Sequence, residues 1–107
     1  MTRQIWGCVN ANGSIHSGSI VNGSYNFVVS KIDVGVYEID YDTQFSSPPV
    51  VVLTQNYKNW NDFGFENGWP ADNAVLIAGN ENKCKVLTGS GQNHLDRNFT
   101  FIAMGDG

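Results

Sequence analysis

The stretch Val36-Tyr37-Glu38-Ile39-Asp40-Tyr41-Asp42 decides the fold. Successive side chains of a β-strand point to opposite sides. Tyr37, Ile39 and Tyr41 therefore share one face, and Glu38, Asp40 and Asp42 share the other. That alternation is the pattern of a half-buried strand. The row of like charges on its outer face must stay in water or meet cations from a neighbour. Just upstream, residues 25–31 (Tyr-Asn-Phe-Val-Val-Ser-Lys) make a second strand. Asp33-Val34-Gly35 turns one into the other, giving a hairpin.

The same period runs through the rest of the chain. Residues 5–9 and 14–20 are short strands joined by Asn10-Ala11-Asn12-Gly13, a turn because Asn-Gly accepts positive φ cheaply. After Ser46-Ser47-Pro48-Pro49, residues 50–54 are continuously apolar, which fits a central strand or one covered by a subunit neighbour. Residues 74–78 look similar and lead through Asn80-Glu81-Asn82 into a strand at 83–88. Residues 98–104 form the last strand, with Phe99 and Phe101 alternating with Thr100 and Ile102. About seven or eight strands with turns between them, and no convincing amphipathic helix, argue for one all-β domain over residues 1–107. The expected architecture is an antiparallel β-sandwich, jelly-roll-like.

Composition agrees and narrows the function. The chain has 107 residues, enough for one core. Only 15% are charged, against roughly 25% in average proteins. The polar remainder of Asn, Ser, Thr, Gly and Gln suits turns and wet binding surfaces. The net charge of −4 comes with no Lys or Arg cluster, so no nucleic-acid partner is expected. The same charge disfavours an anionic membrane surface, and no run is long enough to span a bilayer, so no membrane insertion is expected. The N-terminus lacks a signal-peptide h-region. A protein of this kind would be cytoplasmic before release and extracellular or virion-associated afterwards. Cys8 and Cys84 make no metal-ligand spacing. They read as buried free thiols, with a cross-sandwich disulfide as the alternative.

Catalytic constellations are poorly represented. His16 and His94 are the only histidines, and no nucleophile-elbow motif occurs. Cys84 lies between Lys83 and Lys85 in a strand, where a packed thiol is expected rather than a nucleophile. Glu38, Asp40 and Asp42 read as a solvated face, not as the paired carboxylates of a glycosidase. The chain is therefore read as a non-enzyme without a cofactor. Asn61, Asp62, Glu66, Asp72 and Asn73 have oxygen ligands suited to calcium but no EF-hand spacing, and they read first as self-capping turns.

Two long connections stand out, since loops beyond roughly 12–15 residues are usually functional. Residues 55–72 set Tyr57, Trp60, Phe63, Phe65 and Trp69 among Asn, Asp and Gly. Residues 89–97 carry His94, Asp96 and Arg97. Aromatic rings stack on the C–H faces of sugars, and amides and carboxylates exchange hydrogen bonds with the hydroxyls. The candidate ligand-binding set is Tyr57, Trp60, Asn61, Asp62, Trp69, Asp72, Asn73, His94, Asp96 and Arg97, with Arg–carboxylate pairing holding the donors in place. The competing reading places the same aromatics in a mini-core or a subunit seam.

The segments Gly35-Val36-Tyr37-Glu38-Ile39, Phe45-Ser46-Ser47-Pro48-Pro49-Val50-Val51-Val52 and Asp96-Arg97-Asn98-Phe99-Thr100-Phe101-Ile102-Ala103-Met104-Gly105 resemble C-terminal head domains of phage tail fibres and bacterial fibrous proteins. The Phe-x-x-Pro-Pro-x-Val and Phe-x-Phe-Ile-Ala-x-Gly patterns also resemble the H-type lectin domain. The Gly-x-Tyr strand is similar, more distantly, to complement and tumour-necrosis-factor globular heads. All three resemblances imply an antiparallel sandwich assembled as a homotrimer and none implies an enzyme. The lectin resemblance adds sugar binding at subunit boundaries. The expectation is a non-enzymatic homotrimeric binding head for a surface glycan or receptor. A structural trimerisation or capping module is the alternative.

Overall fold

A computed structural model describes residues 1–61, 63 and 68–107. Its described elements are all strands: β1 (Thr2–Val9), β2 (Ile15–Gly18), β3 (Ile20–Val21), β4 (Ser24–Tyr25), β5 (Phe27–Asp33), β6 (Val36–Tyr41), β7 (Val50–Asn56), β8 (Asp72–Gly79), β9 (Lys83–Ser90), β10 (Asn93–His94) and β11 (Asn98–Asp106). One sheet runs β2-β1-β11-β7. The other runs β5-β6-β9, with β8 and the short β10 also paired to β9. β3 and β4 form a separate two-stranded ribbon. Every pairing is antiparallel. The all-β sandwich expected from the alternation is the fold. Its eleven described strands exceed the seven or eight expected, because turn-flanking segments tighten into the two-residue pieces β3, β4 and β10.

The core follows from the period-2 pattern. Tyr37, Ile39 and Tyr41 are buried, and across from them lie Ile5, Val9, Phe99, Phe101 and Ala103 of the other sheet. Phe45, from the 42–49 connection, closes one end edge-on to Tyr41. The acidic row finds its counterions within the chain. In the β6–β9 register Glu38 faces Lys85 and Asp40 faces Lys83, and Lys83 Nζ reaches Glu38 Oε1 at 3.0 Å. This hydrogen bond pushes the Lys83 amine above its ordinary value. Such exposed pairs add little to stability.

Of the two placements expected for the apolar runs, the central strand is not observed. Neither 50–54 nor 74–78 is central: β7 pairs only with β11 and β8 only with β9. Val51 and Leu53 pack against the core, whereas Val50 and Val52 are exposed on the outer side. The cysteines are both free. Cys84 is in the core and burial pushes its thiol up. Cys8 is only half-buried and shares the outer face of β1 with Trp6, away from the core that holds Cys84, so the expected burial holds for Cys84 alone and the disulfide alternative is not formed.

Two glycines make room for a ring between the sheets. Gly7 and Gly18 face each other across β1 and β2, and the Phe27 ring of β5 rests on the bare backbone they leave. A Cβ at Gly7 would lie 2.6 Å from Phe27 Cζ, and one at Gly18 would lie 2.7 Å from the same atom. Phe27 in turn meets Phe101 edge-to-face at 5.0 Å. We expect Gly7→Ala to destabilise the fold by about 1–3 kcal/mol through overpacking, read as a lower midpoint in thermal or urea unfolding; an unchanged midpoint would mean that the sheets are not held at this separation.

Candidate functional site

The turns after β1, β5, β7 and β9 all emerge at one end of the sandwich. Buried polar side chains tie them together. Asn98 accepts a hydrogen bond from Ala11 N–H at 2.8 Å and donates one to Lys58 C=O at 2.9 Å. The Tyr37 hydroxyl donates to Ala11 C=O at 2.6 Å, and burial pushes its pKa up. Asp96 accepts from Gly35 N–H at 2.7 Å and pairs with Lys31 at 3.2 Å. Gly35 has φ +69° and leaves no room for a Cβ against Thr88 C=O, which is why glycine occupies this turn. Thr88 closes the ring of contacts by donating its hydroxyl to Leu95 C=O at 2.7 Å. The Gln55 amide oxygen accepts from Gly89 N–H at 3.0 Å.

Against this frame stands the cluster that the sequence had pointed to. The Arg97 guanidinium lies over the Tyr57 ring, 4.7 Å from its centroid. Its Nη1 is 3.3 Å from Asp72 Oδ1, and both side chains are largely buried. This Nη1 makes no hydrogen bond; it meets the carboxylate by charge alone. The other oxygen of Asp72 accepts from Trp69 N–H at 2.7 Å. One carboxylate thus fixes both the arginine and the backbone that presents Trp69, whose side chain is 68% exposed. Tyr57, Gly68, Trp69, Asp72, Ser90 and Arg97 enclose a cleft of about 300 Å³. A second cleft of about 260 Å³ is lined by Ala11, Tyr57, Lys58, Asp96, Arg97 and Asn98. The stacked Tyr57–Arg97 pair lines both clefts.

The other candidates part company with this cluster. Asn73 and His94 line a third cleft of about 260 Å³, with Gln92 and Asn93 above Val75 and Leu87. Adjacent residues of β8 send Asp72 and Asn73 to opposite sides, which separates the two. Trp60 lies half-buried, stacked on His16 at 4.8 Å with its indole N–H donating to Asn10 at 2.9 Å. Asn61 is exposed nearby. Asp62 lies outside the described residues, as do Phe65 and Glu66 of the long connection. Asp96 belongs to the frame, its carboxylate engaged by Gly35 and Lys31. Among the described residues no group of three or more His, Cys, Asp or Glu side chains is placed to hold a metal ion.

Sequence reasoning missed Asn10, His16 and Asn98. Asn10 reads as a turn residue and Asn98 as the start of a strand. Their common signal is position: in an antiparallel sandwich, turns that leave alternate strands share an end. No protein-family model, curated protein or solved structure matches this chain.

Asn98 and Trp69 separate frame from cleft experimentally. Asn98→Ala removes the side-chain bonds to Ala11 N–H and Lys58 C=O and should cost about 1–3 kcal/mol. Trp69→Ala removes an exposed ring and should leave stability within about 0.5 kcal/mol of the parent. Denaturant unfolding of both variants checks the pair.

Proposed function

We propose that this protein is a non-enzymatic, homotrimeric binding head that recognises a surface carbohydrate or similarly exposed receptor through the loop end of its sandwich. The reading is supported above all by the Tyr57–Arg97–Asp72–Trp69 arrangement. It offers an exposed indole face, a second ring and a guanidinium, with one buried carboxylate engaging the guanidinium and the Trp69 backbone. Indole faces match the C–H faces of pyranose rings, and Arg97 has donor capacity beyond its contact with Asp72. The cleft volume lies at the small end of ligand sites, which run from roughly 300 to 1,000 Å³, and suits one or two sugar rings. Preorganisation matters because binding energy is lost when donors must be ordered on contact.

The groups that a hydrolase would need are arranged for other tasks. Cys84 is packed with its thiol pushed up by burial, the opposite of an activated nucleophile. Asp72 is neutralised by Arg97. Glu38 and Asp40 face lysines on an open sheet surface. The setting that fits a glycan reader is extracellular or virion-borne, at the tip of a fibre or on a free oligomer, as the resemblance to tail-fibre heads and H-type lectins implies.

A glycan array probed with the native assembly tests the reading. We expect selective binding to one family of sugars, lost by about tenfold or more on Trp69→Ala, a size typical of a truncated aromatic anchor, with native mass unchanged. Absence of binding to every glycan and receptor preparation, together with a mass that falls on Trp69→Ala, would replace the binding head with a structural trimerisation or capping module.

A further inference from the structure

The outer face of the β2-β1-β11-β7 sheet is apolar in register. Trp6 pairs with Ile102, which pairs with Val52; in the adjacent row Gln4 pairs with Met104, which pairs with Val50. These five apolar side chains are between 42% and 66% exposed. The next row, Cys8, Thr100 and Thr54, is small and uncharged. At the β7 side the apolar surface continues round the open edge of the sandwich, where Val75, Leu76 and Ile77 of β8 are also exposed. An in-register patch of this kind marks an interaction surface rather than scattered surface hydrophobics.

We propose that this surface is covered by other copies of this chain. The inference rests on the homotrimeric reading above and assigns the face through which the copies meet. Charge selects the occupant. The chain carries −4 overall, yet Trp6, Cys8, Val50, Val52, Thr54, Thr100, Ile102 and Met104 carry none. Glu38 and Asp40 sit on the opposite sheet. Two like-charged copies can therefore meet over these rows, with Asp106, opposite Thr2 in the terminal row of the same face, left at the rim, while a charged partner finds only that one acid to pair with. Area points the same way. With strands about 4.8 Å apart and rising about 3.3 Å per residue, a four-stranded face presents on the order of 400 Å² in projection. A standard interface needs about 800 Å² from each partner. One flat face is too small alone, and the exposed β8 edge adds to it when face and edge each meet a different neighbour in a closed ring. Closure also shields the unpaired backbone of β7 and β8, which would otherwise invite open-ended strand addition.

Native mass spectrometry and sedimentation of the intact chain test this, with Ile102→Lys at the centre of the face and Ile32→Lys as control. Ile32 is similarly exposed but lies on β5 of the other sheet. We expect an assembled wild type, an unaltered Ile32→Lys mass, and association weakened by about a hundredfold or more in Ile102→Lys, because a lysine there is buried unpaired. Val52→Lys, on the edge strand, serves if Ile102→Lys fails to fold. Cys8 gives a second readout: its labelling by a thiol reagent should be slow in the assembly and fast in Ile102→Lys, while buried Cys84 stays silent in both. A monomeric wild type, or an Ile102→Lys protein that keeps the parent mass, overturns the inference. A monomer that still binds glycans would sink this surface assignment and leave the binding cleft standing; an oligomer that dissociates as described but binds no ligand would do the reverse.

Discussion

Phe27 of one sheet lies directly on Gly7 and Gly18 of the other, and the fold depends on that close contact. A phenyl ring needs backbone-level clearance at that point, and two facing glycines supply it. Everything else in the core is placed relative to that contact. Phe101 meets the ring edge-on, and Phe99 tilts against Tyr37 at 5.0 Å. The Tyr37 hydroxyl then reaches Ala11. The chain of contacts runs from a glycine pair in the core to the turn that helps frame the loop end. Interiors packed at crystal-like density transmit such spacing with little slack.

At the loop end the logic changes from apolar packing to polar satisfaction. Four connections with no regular structure must be held together where water competes for every hydrogen bond. The fold meets this with side chains that bond backbone groups of distant turns: Asn98 to Ala11 and Lys58, Asp96 to Gly35, Gln55 to Gly89. Each bond is modest in net worth, but each buried group would be costly to leave unpaired. This is how a loop end can be ordered enough to present Trp69 while keeping that ring in solvent.

The strand pattern was legible because period-2 alternation is a local property. Tyr37, Ile39 and Tyr41 declare their burial without knowledge of any other strand. Tyr57, Asp72 and Arg97 were picked out by residue type in the two connections, and the fold brings the three together. Sequence could not say that β7 and β8 are edges: an apolar run looks the same whether a strand or another subunit covers it, and ladder order is a long-range property. Nor could it tell Asp96 from Asp72. Both are acidic loop residues, and only the fold brings one to a turn amide and the other to Arg97. The split of Asp72 from Asn73 follows from the pleat alone, once β8 is known to begin there.

The Tyr57–Arg97 partition has one more consequence. Because the same stacked pair borders two clefts, any occupant that displaces the guanidinium on one side reshapes the volume on the other. Occupants of the two clefts would be coupled through that shared wall, and such linkage is reciprocal. A group that drew Arg97 toward one cleft would alter the affinity of the other cleft by the same factor that the other altered its own.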